Sequence, residues 1–549
     1  MSFVSTGPRA DRVDFQTTLE RPIPELGHLW VPTTLPKVQW PAQDRPLWEF
    51  VNAVLTPLIG QDCGEACRRG LEHFPISLDA CGPAKHRVAL QLHLGPTKSF
   101  KDVGCRMAAE LHRMFGKNRR VVVATSGDTG SAAAHAFDNI CVLYPQGKVS
   151  AYQERQMLDS QRAVALAVPG DFDDCQRLAK SMLAAGEALS CNSVSLARLL
   201  PQVGIYAWAA SRVSSRVFVV PSGNYGNAVA CIMAKRMGAP IQSVHLACNA
   251  NGAALVKYLN GGETYSPGDT VQTPATAMDV GRPSNAVRLF RYLDATGDVS
   301  ASVVSTPDIQ AMADKHTCPH TSCALHAALR LNVPGVVVVR TADAAKFSPG
   351  GPPPLSPFVL HRPNAVRKRR PSAILLVGMP GVGKTTVSFM MGGHDSDCTM
   401  VAERGKKALP EVIDEFSDAD AFLEYEGNTV MRMLDSASSS STGDNAVVIA
   451  TGGSAVHSSA LRSYLACHAN VVVVWLRQDL ESAQPTDWSS NWSARGVVVP
   501  TGTRIESPDQ VRRIRYPLYA KVADFQLKTD VWDAERCAAA LGRLWEFLA

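Results

Sequence analysis

The sequence predicts an α/β protein in which helices cover both faces of parallel β-sheets. Short runs rich in β-branched residues, such as Val121–Ala124, Val217–Val220 and Ala373–Val377, each lead into a glycine-rich turn and then into a helical pattern. The length of 549 residues is too great for one hydrophobic core and suits about three or four domains. Apolar residues make up 46% of the chain and charged residues 19%, which is typical of globular enzymes.

Charge and hydropathy argue against several other classes of protein. The net charge of +5 is spread along the chain, so we expect no nucleic-acid partner. The longest apolar runs, such as the predicted strand Val471–Leu476, are far shorter than the roughly 20 residues that span a bilayer, so we expect no membrane segment. The first residues lack the basic and apolar regions of a secretory signal.

The fourteen cysteines are scattered and show no paired Cys-x-x-Cys spacing. This distribution argues against a zinc site and against a disulfide framework. We therefore expect a reduced compartment, the cytoplasm. The sequence leaves the oligomeric state open.

Residues 348–371 divide the chain. They begin with the proline- and glycine-rich run Ser348–Pro354 and end near the basic tetrad Arg367–Arg370. Prolines do not propagate helices or sheets, and clustered positive charge favours water, so we interpret the segment as a semi-rigid tether. The tetrad could instead be a nucleic-acid or localisation patch. We expect the halves on either side of the tether to separate there and to work independently.

Three segments of the first half carry its chemistry. Lys101 closes the run Leu94–Lys101 and stands at the entrance to a predicted helix, Asp102–Met114. The glycine-rich turns Thr125–Gly130 and Ser222–Gly226 each follow a strand. A helix N-terminus behind such a turn presents free N–H groups and suits an anion, so two turns indicate a ligand with two anionic ends. Taken singly, each turn is ordinary loop chemistry, and a lone lysine is usually a surface residue.

Taken in order, these segments resemble the threonine synthase family, which belongs to the tryptophan-synthase-β-like group of pyridoxal-phosphate enzymes. The resemblance covers residues 1–347 and implies fold type II of those enzymes, with a small leading domain over residues 1–75 and a lyase domain over residues 76–347. The matching segments are Leu94–Asp102, Thr125–Gly130, Tyr144–Glu154, Asn192–Gln202, Pro221–Asn227, Ala277–Asp279 and Pro283–Asn285.

The resemblance implies a role for each motif. Lys101 would bind pyridoxal 5'-phosphate covalently and then move protons on the substrate. Asp128 would lie close to the ring oxygen of the cofactor, and Thr341 against its pyridine nitrogen. The other cofactor residues, most of which would hold its phosphate through backbone N–H groups, are Ser222, Gly223, Asn224, Tyr225, Gly226 and Asn227. The loop that holds the substrate carboxylate would comprise Thr125, Ser126, Gly127, Thr129 and Gly130.

The implied reaction converts O-phosphohomoserine and water to threonine and phosphate, which makes the enzyme a carbon–oxygen lyase acting on phosphates. The substrate phosphate requires a second anion site, and the candidates are Lys148, Ser150, Asn285 and Arg288. Lys148 and Arg288 could equally be surface charges. A related lyase that removes phosphate from O-phosphothreonine and gives 2-oxobutyrate and ammonia would use the same residues, so both reactions stay open here.

The first half also departs from the family pattern. Leu94 replaces a histidine before the Gly-Pro-Thr of the lysine segment, and Asp343 replaces a histidine in the run Thr341–Phe347. The segments Val38–Leu71 and Ala184–Ser190 are shorter than expected. Any role of the second histidine is lost with it.

The second half opens on a nucleotide motif. Gly378–Thr385 fits the pattern Gly-x4-Gly-Lys-Thr after a predicted strand and before a helix. In this pattern backbone N–H groups hold the β-phosphate, Lys384 reaches the γ-phosphate and Thr385 binds Mg²⁺. We expect ATP to be bound by Gly378, Gly381, Gly383, Lys384, Thr385 and Thr386.

Residues 372–545 resemble shikimate kinase, a P-loop nucleoside-kinase-like fold with a parallel α/β sheet, and we assign residues 372–549 to this domain. Asp395 would bind the metal together with Thr385, and Asp397 would face a substrate hydroxyl. The remaining residues implied for the acceptor site are Gly452, Gly453, the lid arginine Arg495 and Arg515.

Two defects bear on that activity. Leu423 stands where the family has an arginine for the shikimate carboxylate, a loss of about 1.5–3 kcal/mol of binding. Only eleven positions separate Lys384 from Asp395, so a shortened helix could misplace the metal carboxylate. Shikimate phosphorylation, phosphorylation of homoserine, and a non-catalytic nucleotide-binding module all remain open.

Overall fold

The computed structural model describes the chain except for a set of short segments. The segments left out are residues 9–10, 26, 82–86, 117–118, 161, 187, 215, 295–296, 315, 332, 334, 348–357, 363–364, 367–370, 441–446, 479–496, 504–506, 530–532 and 549. The chain forms two compact units: the first contains residues 1–163 and 175–354, and the second contains residues 164–174 and 355–549.

The elements up to residue 190 include the strand and helix predicted around Lys101. In chain order they are β1 (Phe3–Ser5), α1 (Phe15–Glu20), β2 (Trp30–Pro32), α2 (Leu47–Ile59), α3 (Gly64–Leu71), β3 (Ser77–Ala80), β4 (Arg87–Gln91), α4 (Lys101–Met114), β5 (Val121–Ala124), α5 (Asp128–Ala136), β6 (Ile140–Pro145), α6 (Ala151–Leu158), β7 (Ala163–Val168), α7 (Phe172–Ala184) and β8 (Leu189–Ser190).

The next elements run to residue 347. They are α8 (Leu196–Ala210), β9 (Val217–Pro221), α9 (Gly226–Arg236), β10 (Ser243–Cys248), α10 (Ala253–Leu259), α11 (Ala286–Tyr292), β11 (Val299–Val303), α12 (Thr306–Met312), α13 (Pro319–Arg330) and β12 (Val336–Arg340). Short 3-10 turns lie at Ala250–Gly252, Thr276–Met278 and Ala344–Phe347.

The first unit is built on a mainly parallel six-stranded sheet with the order β11-β10-β9-β12-β4-β3, in which only β3 runs antiparallel to its neighbour. A second group of parallel strands has the order β6-β5-β8, and β1 and β2 form a small antiparallel sheet. Every residue of α8 is buried, because this helix packs against α2, α4 and α9. The glycine-rich turns follow the carboxyl ends of β5 and β9, where parallel sheets place their ligand sites.

The second unit contains a further parallel α/β sheet. Its elements are β13 (Phe358–Leu360), β14 (Ala373–Val377), α14 (Lys384–Met390), β15 (His394–Asp395), α15 (Ser396–Glu403), α16 (Leu409–Ile413), α17 (Ala419–Ser440), β16 (Val447–Ala450), α18 (Ser459–Cys467), β17 (Val471–Arg477), α19 (Pro508–Val522), β18 (Phe525–Lys528) and α20 (Ala534–Leu548), with a 3-10 turn at Ala455–His457. The strand order is β15-β16-β14-β17-β18-β13-β7, and only β13 and β18 pair antiparallel.

The segment interpreted as a tether is partly structured. Phe358–Leu360 forms the buried strand β13, which lies between β18 and β7. The correction has a simple physical basis: Phe-Val-Leu is a short apolar run that gains stability from burial in a sheet, whatever the prolines before it do. The basic tetrad lies outside the described residues. Among the helices that the structure describes, none is long and apolar enough to cross a membrane.

The second unit therefore includes β7, which precedes the tether in sequence. β7 has six buried residues and pairs in parallel with β13, with Leu166 opposite Phe358 and Ala167 opposite Val359. A chain ending at residue 348 would leave β7 as a long apolar edge, whereas a chain ending at residue 366 would keep the three-residue strand β13 on it.

We expect the chain ending at residue 348 to be less soluble and to aggregate at a lower temperature than the chain ending at residue 366. Soluble yield and light scattering on heating measure the difference. Equal behaviour of the two chains would contradict the role of β13 and would restore the tether as a simple point of separation.

Candidate functional site

Lys101 is the first residue of α4, and its amine contacts a buried carboxylate at the start of α5. Its Nζ donates to Asp128 Oδ2 at 3.0 Å. The other oxygen, Asp128 Oδ1, accepts from Lys346 Nζ at 2.8 Å and from Gln153 Nε2 at 2.9 Å. One carboxylate thus holds two lysine side chains, of which Lys346 is fully buried.

Burial and charge set the protonation of this group. Burial lowers the pKa of Lys101, and the nearby carboxylate of Asp128 opposes that shift without cancelling it. For Asp128 itself burial favours the neutral acid, but the two ammonium groups outweigh burial and hold its pKa well below the usual value. Lys101 is therefore shifted towards the neutral amine that nucleophilic attack requires.

The loop that carries Lys101 is tied to the segment that carries Lys346. Phe100 N donates to the Thr341 carbonyl at 2.9 Å, and Asp343 N donates to the Lys98 carbonyl at 3.1 Å. Lys346 Nζ also donates to the Thr97 carbonyl at 2.7 Å. These bonds bring Thr341, a predicted cofactor residue, alongside the start of α4.

Asp343 has a structural role in place of the family's histidine. Its Oδ2 lies 3.6 Å from Lys98 Nζ, and its Oδ1 accepts from Ala345 N at 2.8 Å. Lys98 itself has a positive φ of 57°, so its backbone is held in an unusual conformation beside Lys101. The aspartate thus supports the turn. Leu94, the other departure, leaves 42% of its surface exposed.

The turn after β9 presents free backbone donors. Within the described residues, the N–H groups of Gly223, Asn224, Tyr225 and Gly226 donate to no protein atom. Tyr225 has a φ of 60° and caps the N-terminus of α9, so these N–H groups lie at the start of a helix, where an anion is favoured. A Cβ added to Gly223 would lie 2.5 Å from Met278 Cα, so this position requires glycine.

Two of the residues predicted for this cradle are already engaged. Ser222 N donates to the Ala247 carbonyl at 2.9 Å, and its hydroxyl donates to the Val220 carbonyl at 2.8 Å. Asn227 Oδ1 accepts from the buried hydroxyl of Tyr206 at 2.7 Å. Ser222 thus ends the strand rather than offering its N–H to a ligand, because its donors complete the sheet and the turn.

The turn after β5 is also partly self-satisfied. Gly127 N and Gly130 N both donate to Thr125 Oγ1 at 2.9 Å. Their N–H groups are therefore not available to a substrate carboxylate, contrary to the sequence prediction. Gly127 has a φ of 129°, and a Cβ there would collide with the Gln153 side chain.

The free N–H groups of this turn belong to other residues. Ser126, Asp128 and Thr129 donate their backbone N–H to no described atom. Thr129 Oγ1 accepts from Arg198 Nη2 at 3.1 Å. The start of α5 therefore presents three N–H groups beside the Lys101–Asp128 pair.

Arg288 does not lie at an open anion site. It is fully buried, and its Nε, Nη1 and Nη2 donate to the carbonyls of Trp30, Ser193 and Val194 at 2.8–3.0 Å. Nη1 also donates to Asn285 Oδ1 at 3.0 Å. Arg288 therefore positions its neighbours rather than binding substrate phosphate, because its donors are consumed by protein oxygens.

The other candidates for the second anion site differ in accessibility. Asn285 Nδ2 and Asn224 Nδ2 both donate to Ser193 Oγ, at 3.0 and 2.9 Å, so Ser193 links the two loops. Ser150 caps α6 and forms a reciprocal capping box with Gln153. Lys148 is exposed.

The second unit contains the predicted phosphate loop between β14 and α14. Gly378, Gly381 and Gly383 have φ values of 150°, 82° and 88°, which only glycine adopts readily. Lys384 is buried, and its Nζ donates to the carbonyls of Gly378 and Met379 at 2.9 and 3.0 Å. Burial lowers the pKa of Lys384 to about 8, although Asp397 and Asp395 oppose the shift. Thr386 is exposed.

The short helix α14 does bring the metal candidates together. Thr385 Oγ1 donates to Asp395 Oδ2 at 2.6 Å. Asp395 caps α15 by accepting from Asp397 N at 2.8 Å and from Cys398 N at 3.2 Å. Asp395 reaches Thr385 across this short connection because Gly392 and Gly393 turn the chain directly from α14 into β15.

The predicted acceptor residues Asp397, Gly452, Gly453 and Arg515 lie around the same loop. A Cβ on Gly452 would lie 2.6 Å from Asp397 Oδ1, and one on Gly453 would lie 2.8 Å from both Arg515 Nη1 and Pro380 Cδ of the phosphate loop. Arg495, the predicted lid arginine, lies outside the described residues.

Three residues that sequence reasoning assigned no role lie in these sites. Lys346 and Gln153 contact Asp128, and both stand in segments that match the family pattern, so the signal was present in the motifs. Glu426 is buried beside Gly452 and follows the Phe422–Leu423 pair. Only the placement of α17 against β16 reveals it.

Comparison with known proteins identifies the first half of the chain. A family model described as "Pyridoxal-phosphate dependent enzyme" matches residues 86–339. The threonine synthase of Haemophilus influenzae is 34% identical over 338 residues, which are 55% of this chain and 78% of that protein. The chain belongs to the threonine synthase family.

Solved structures agree with this membership. The crystal structure of threonine synthase from Escherichia coli matches with a TM-score of 0.57 at 28% identity and covers 63% of this chain and 89% of that one. The structure of threonine synthase with bound pyridoxal phosphate from Brucella melitensis matches with a TM-score of 0.55 at 30% identity and the same coverage. The predicted family and the type II fold are confirmed.

The second half matches a family model described as "Shikimate kinase" over residues 380–543. This match confirms the predicted shikimate-kinase-like domain, and the parallel sheet with its phosphate loop agrees with it. The activity of that domain is a separate question.

The residues of the first unit fit pyridoxal phosphate. The four free N–H groups from Gly223 to Gly226 suit its phosphate, and the Lys101 amine, shifted towards its neutral form, suits its aldehyde. Both groups project from the carboxyl ends of strands of the first unit, as the type II fold requires.

Lys346→Met tests whether Lys346 and Lys101, which share the carboxylate of Asp128, influence each other's charge. A positive charge that disfavours protonation of Lys101 is lost, so the pH at which Lys101 reacts with pyridoxal phosphate, followed by visible absorbance, should rise. Loss of one buried ion-pair partner should also lower the free energy of unfolding by about 3 kcal/mol.

Two other variants serve as controls. Lys346→Arg keeps the charge and should keep the midpoint near that of the parent protein. Lys98→Met removes an exposed lysine that pairs with Asp343 and should change neither quantity. An unchanged midpoint in Lys346→Met would refute the coupling between the two lysines.

Proposed function

We propose that the first unit converts O-phosphohomoserine and water to threonine and phosphate with pyridoxal 5'-phosphate. The observation that supports this proposal most strongly is the pairing of Lys101 with Asp128, whose helix begins with free backbone N–H groups. The second set of free N–H groups, at the start of α9, gives the unit two groups of donors, which suit a phosphorylated cofactor and an amino-acid carboxylate. Membership of the threonine synthase family supports the choice of reaction.

The residues of the chain have separate tasks in this reaction. When bound, pyridoxal phosphate supplies an electron sink for negative charge that develops on the substrate carbons. The N–H groups of Ser126, Asp128 and Thr129 would hold the substrate carboxylate at the start of α5. The amine of Lys101 would take a proton from Cα and move protons at Cβ, after which the γ-phosphate leaves and water adds at Cβ.

Asp128 fixes the position of the Lys101 amine in the site. Its carboxylate holds Lys101 within 3.0 Å and is itself held by Lys346 and Gln153. For the leaving phosphate, the proposed ligands are Lys148, Ser150 and Asn285, and Arg288 holds Asn285 by donating to its side-chain oxygen.

The free thiols of all fourteen cysteines accord with the cytoplasmic location that the sequence predicts.

Lys101→Ala tests the proposal. Threonine formation from O-phosphohomoserine should fall by at least roughly 100-fold, because the general base is lost. Because Asp128 also loses a buried ion-pair partner, the free energy of unfolding should fall by about 3 kcal/mol, as in Lys346→Met, so the activities are compared at a temperature at which both proteins are folded.

Lys98→Ala is the matched control and should retain activity. If the Lys101→Ala variant retains the near-ultraviolet absorbance of reduced cofactor after borohydride treatment and dialysis, another residue holds the cofactor. Product analysis separates the rival reaction, since release of 2-oxobutyrate from O-phosphothreonine without threonine from O-phosphohomoserine would identify the other lyase.

For the second unit we propose binding of ATP with Mg²⁺. Lys384, released from the carbonyls of Gly378 and Met379, would contact the terminal phosphates, and the Thr385–Asp395 pair would hold the metal. The positive φ values of Gly378, Gly381 and Gly383 support a loop whose N–H groups face the phosphates.

Lys384→Ala should weaken the affinity for ATP by roughly 10- to 100-fold, since one charge-assisted hydrogen bond is lost. Thermal stabilisation of the full chain by Mg-ATP measures the affinity. Lys406→Ala, which removes a half-buried lysine of the same unit that pairs with Glu415, should leave the affinity for ATP unchanged. Equal stabilisation of the Lys384→Ala variant and the parent would refute the assignment.

A further inference from the structure

Buried charged side chains converge beside the phosphate loop of the second unit. A Cβ on Gly452 would collide with Glu426 Oε1 and lie 2.6 Å from Asp397 Oδ1. On the next residue, Gly453, a Cβ would lie 2.8 Å from Arg515 Nη1. Glu426 is 1% exposed and Arg515 is fully buried. Three charged side chains thus lie close to Gly452 and Gly453. They fit there because glycine has no side chain.

Several polar atoms of this cluster are unsatisfied. Within the described residues, Asp397 Oδ1, Glu426 Oε2, and Nε and Nη1 of Arg515 have no hydrogen-bond partner. Arg515 is anchored from the far side, where Nη2 donates to the Val498 carbonyl at 2.6 Å. Buried charges without partners are costly, so this arrangement indicates a ligand that supplies both a donor and an acceptor.

Leu423, three residues before Glu426, stands where the resemblance to shikimate kinase implies an arginine, so this position brings no cation to the cluster. Leu423 is buried in an apolar cluster with Met400, Val412 and Phe422. Burial and the neighbouring Asp397 raise the pKa of Glu426 to about 8. A cation brought beside Glu426 would favour its charged form.

The charge of the cluster limits the class of acceptor. Among the residues that the structure describes, Arg515 is the cation that remains beside Asp397 and Glu426 when Lys384 and Asp395 are committed to the nucleotide and the metal. A hydroxy acid without an amino group would bring a further negative charge to this site. A hydroxy amino acid is neutral overall and brings an ammonium group together with its carboxylate.

We propose that the second unit phosphorylates the hydroxyl group of a short hydroxy amino acid. Arg515 holds its carboxylate, Glu426 its ammonium group and Asp397 its hydroxyl. Glu426 Oε1 and Asp397 Oδ1 both lie within 2.6 Å of a Cβ on Gly452, and Arg515 Nη1 lies 2.8 Å from a Cβ on the adjacent Gly453, so an acceptor of few carbons can reach all three groups. This inference rests on the ATP site proposed at Lys384.

The transfer is balanced. The acceptor oxygen forms a bond to the γ-phosphorus of ATP, the bond from that phosphorus to the β–γ bridging oxygen breaks, and ADP leaves with its electron pair. Asp397 takes the hydroxyl proton. Asp397 Oδ1, which lies 2.6 Å from a Cβ built on Gly452 and has no hydrogen-bond partner within the described residues, is the atom that accepts this proton. The product, a phosphorylated hydroxy amino acid, has the chemistry of the substrate proposed for the first unit.

The full chain with Mg-ATP tests the proposal through release of ADP. L-Homoserine should give ADP and a phosphate ester, the latter identified by mass spectrometry in the Lys101→Ala background. 4-Hydroxybutanoate, which lacks only the ammonium group, should have a KM at least about tenfold higher, the effect of one lost charge-assisted hydrogen bond. Faster ADP release with shikimate or with 4-hydroxybutanoate than with L-homoserine would overturn the proposal.

Glu426→Gln probes the ammonium contact directly. It should raise the KM for L-homoserine about tenfold and abolish the preference over 4-hydroxybutanoate. The matched control Glu424→Gln changes an exposed carboxylate two residues earlier and should keep both values. An unchanged preference in Glu426→Gln would overturn the assignment of the ammonium group.

Stabilisation by Mg-ATP shows whether the acceptor proposal alone is wrong or the ATP site is wrong as well. If Mg-ATP stabilises the full chain against heat but neither L-homoserine nor L-serine yields ADP, the acceptor proposal is wrong and the ATP site stands. If Mg-ATP does not stabilise the chain and no ADP forms, both proposals are wrong.

Discussion

The carboxylate of Asp128, buried between two ammonium groups, is the constraint on which the first unit depends. A buried carboxylate is tolerated only when it is paired and hydrogen bonded, and here Lys101, Lys346 and Gln153 do both. The same contacts fix the ends of three separate segments. The contacts of Asp128 therefore fix both the position of the Lys101 amine and the charges around it. Burial lowers the pKa of Lys101.

The hydrogen bonds around the site satisfy most of its polar groups and leave a few backbone N–H groups free for a ligand. Thr125 accepts from two glycines of its own turn, and Arg288 is consumed by carbonyl oxygens, so the open donors are restricted to a few N–H groups. Ser193 joins Asn224 to Asn285 and so couples the phosphate turn to the loop before α11. Preorganised donors of this kind need little rearrangement when a ligand binds.

Much of the fold could be predicted from local sequence. Val121–Ala124 and Ala373–Val377 are strands with the predicted limits, and α4 begins one residue before the predicted helix. These predictions succeed because strands of β-branched residues and glycine turns are determined by residues that are adjacent in the sequence. The role of Arg288 and the engagement of Ser222 could not be predicted, because both depend on carbonyls distant in sequence. The buried strand Phe358–Leu360 was missed for the same reason, since its partners Leu166 and Leu527 lie far away in the chain.

The central claim is that Lys101 holds pyridoxal phosphate while Lys346, bound to the same carboxylate, does not. Peptide mapping by mass spectrometry after loading the full chain with pyridoxal phosphate and reducing it with borohydride tests this claim most directly. The account predicts one reduced cofactor per chain, attached to the peptide that contains Lys101. Attachment to Lys346, or to no single lysine, would contradict it.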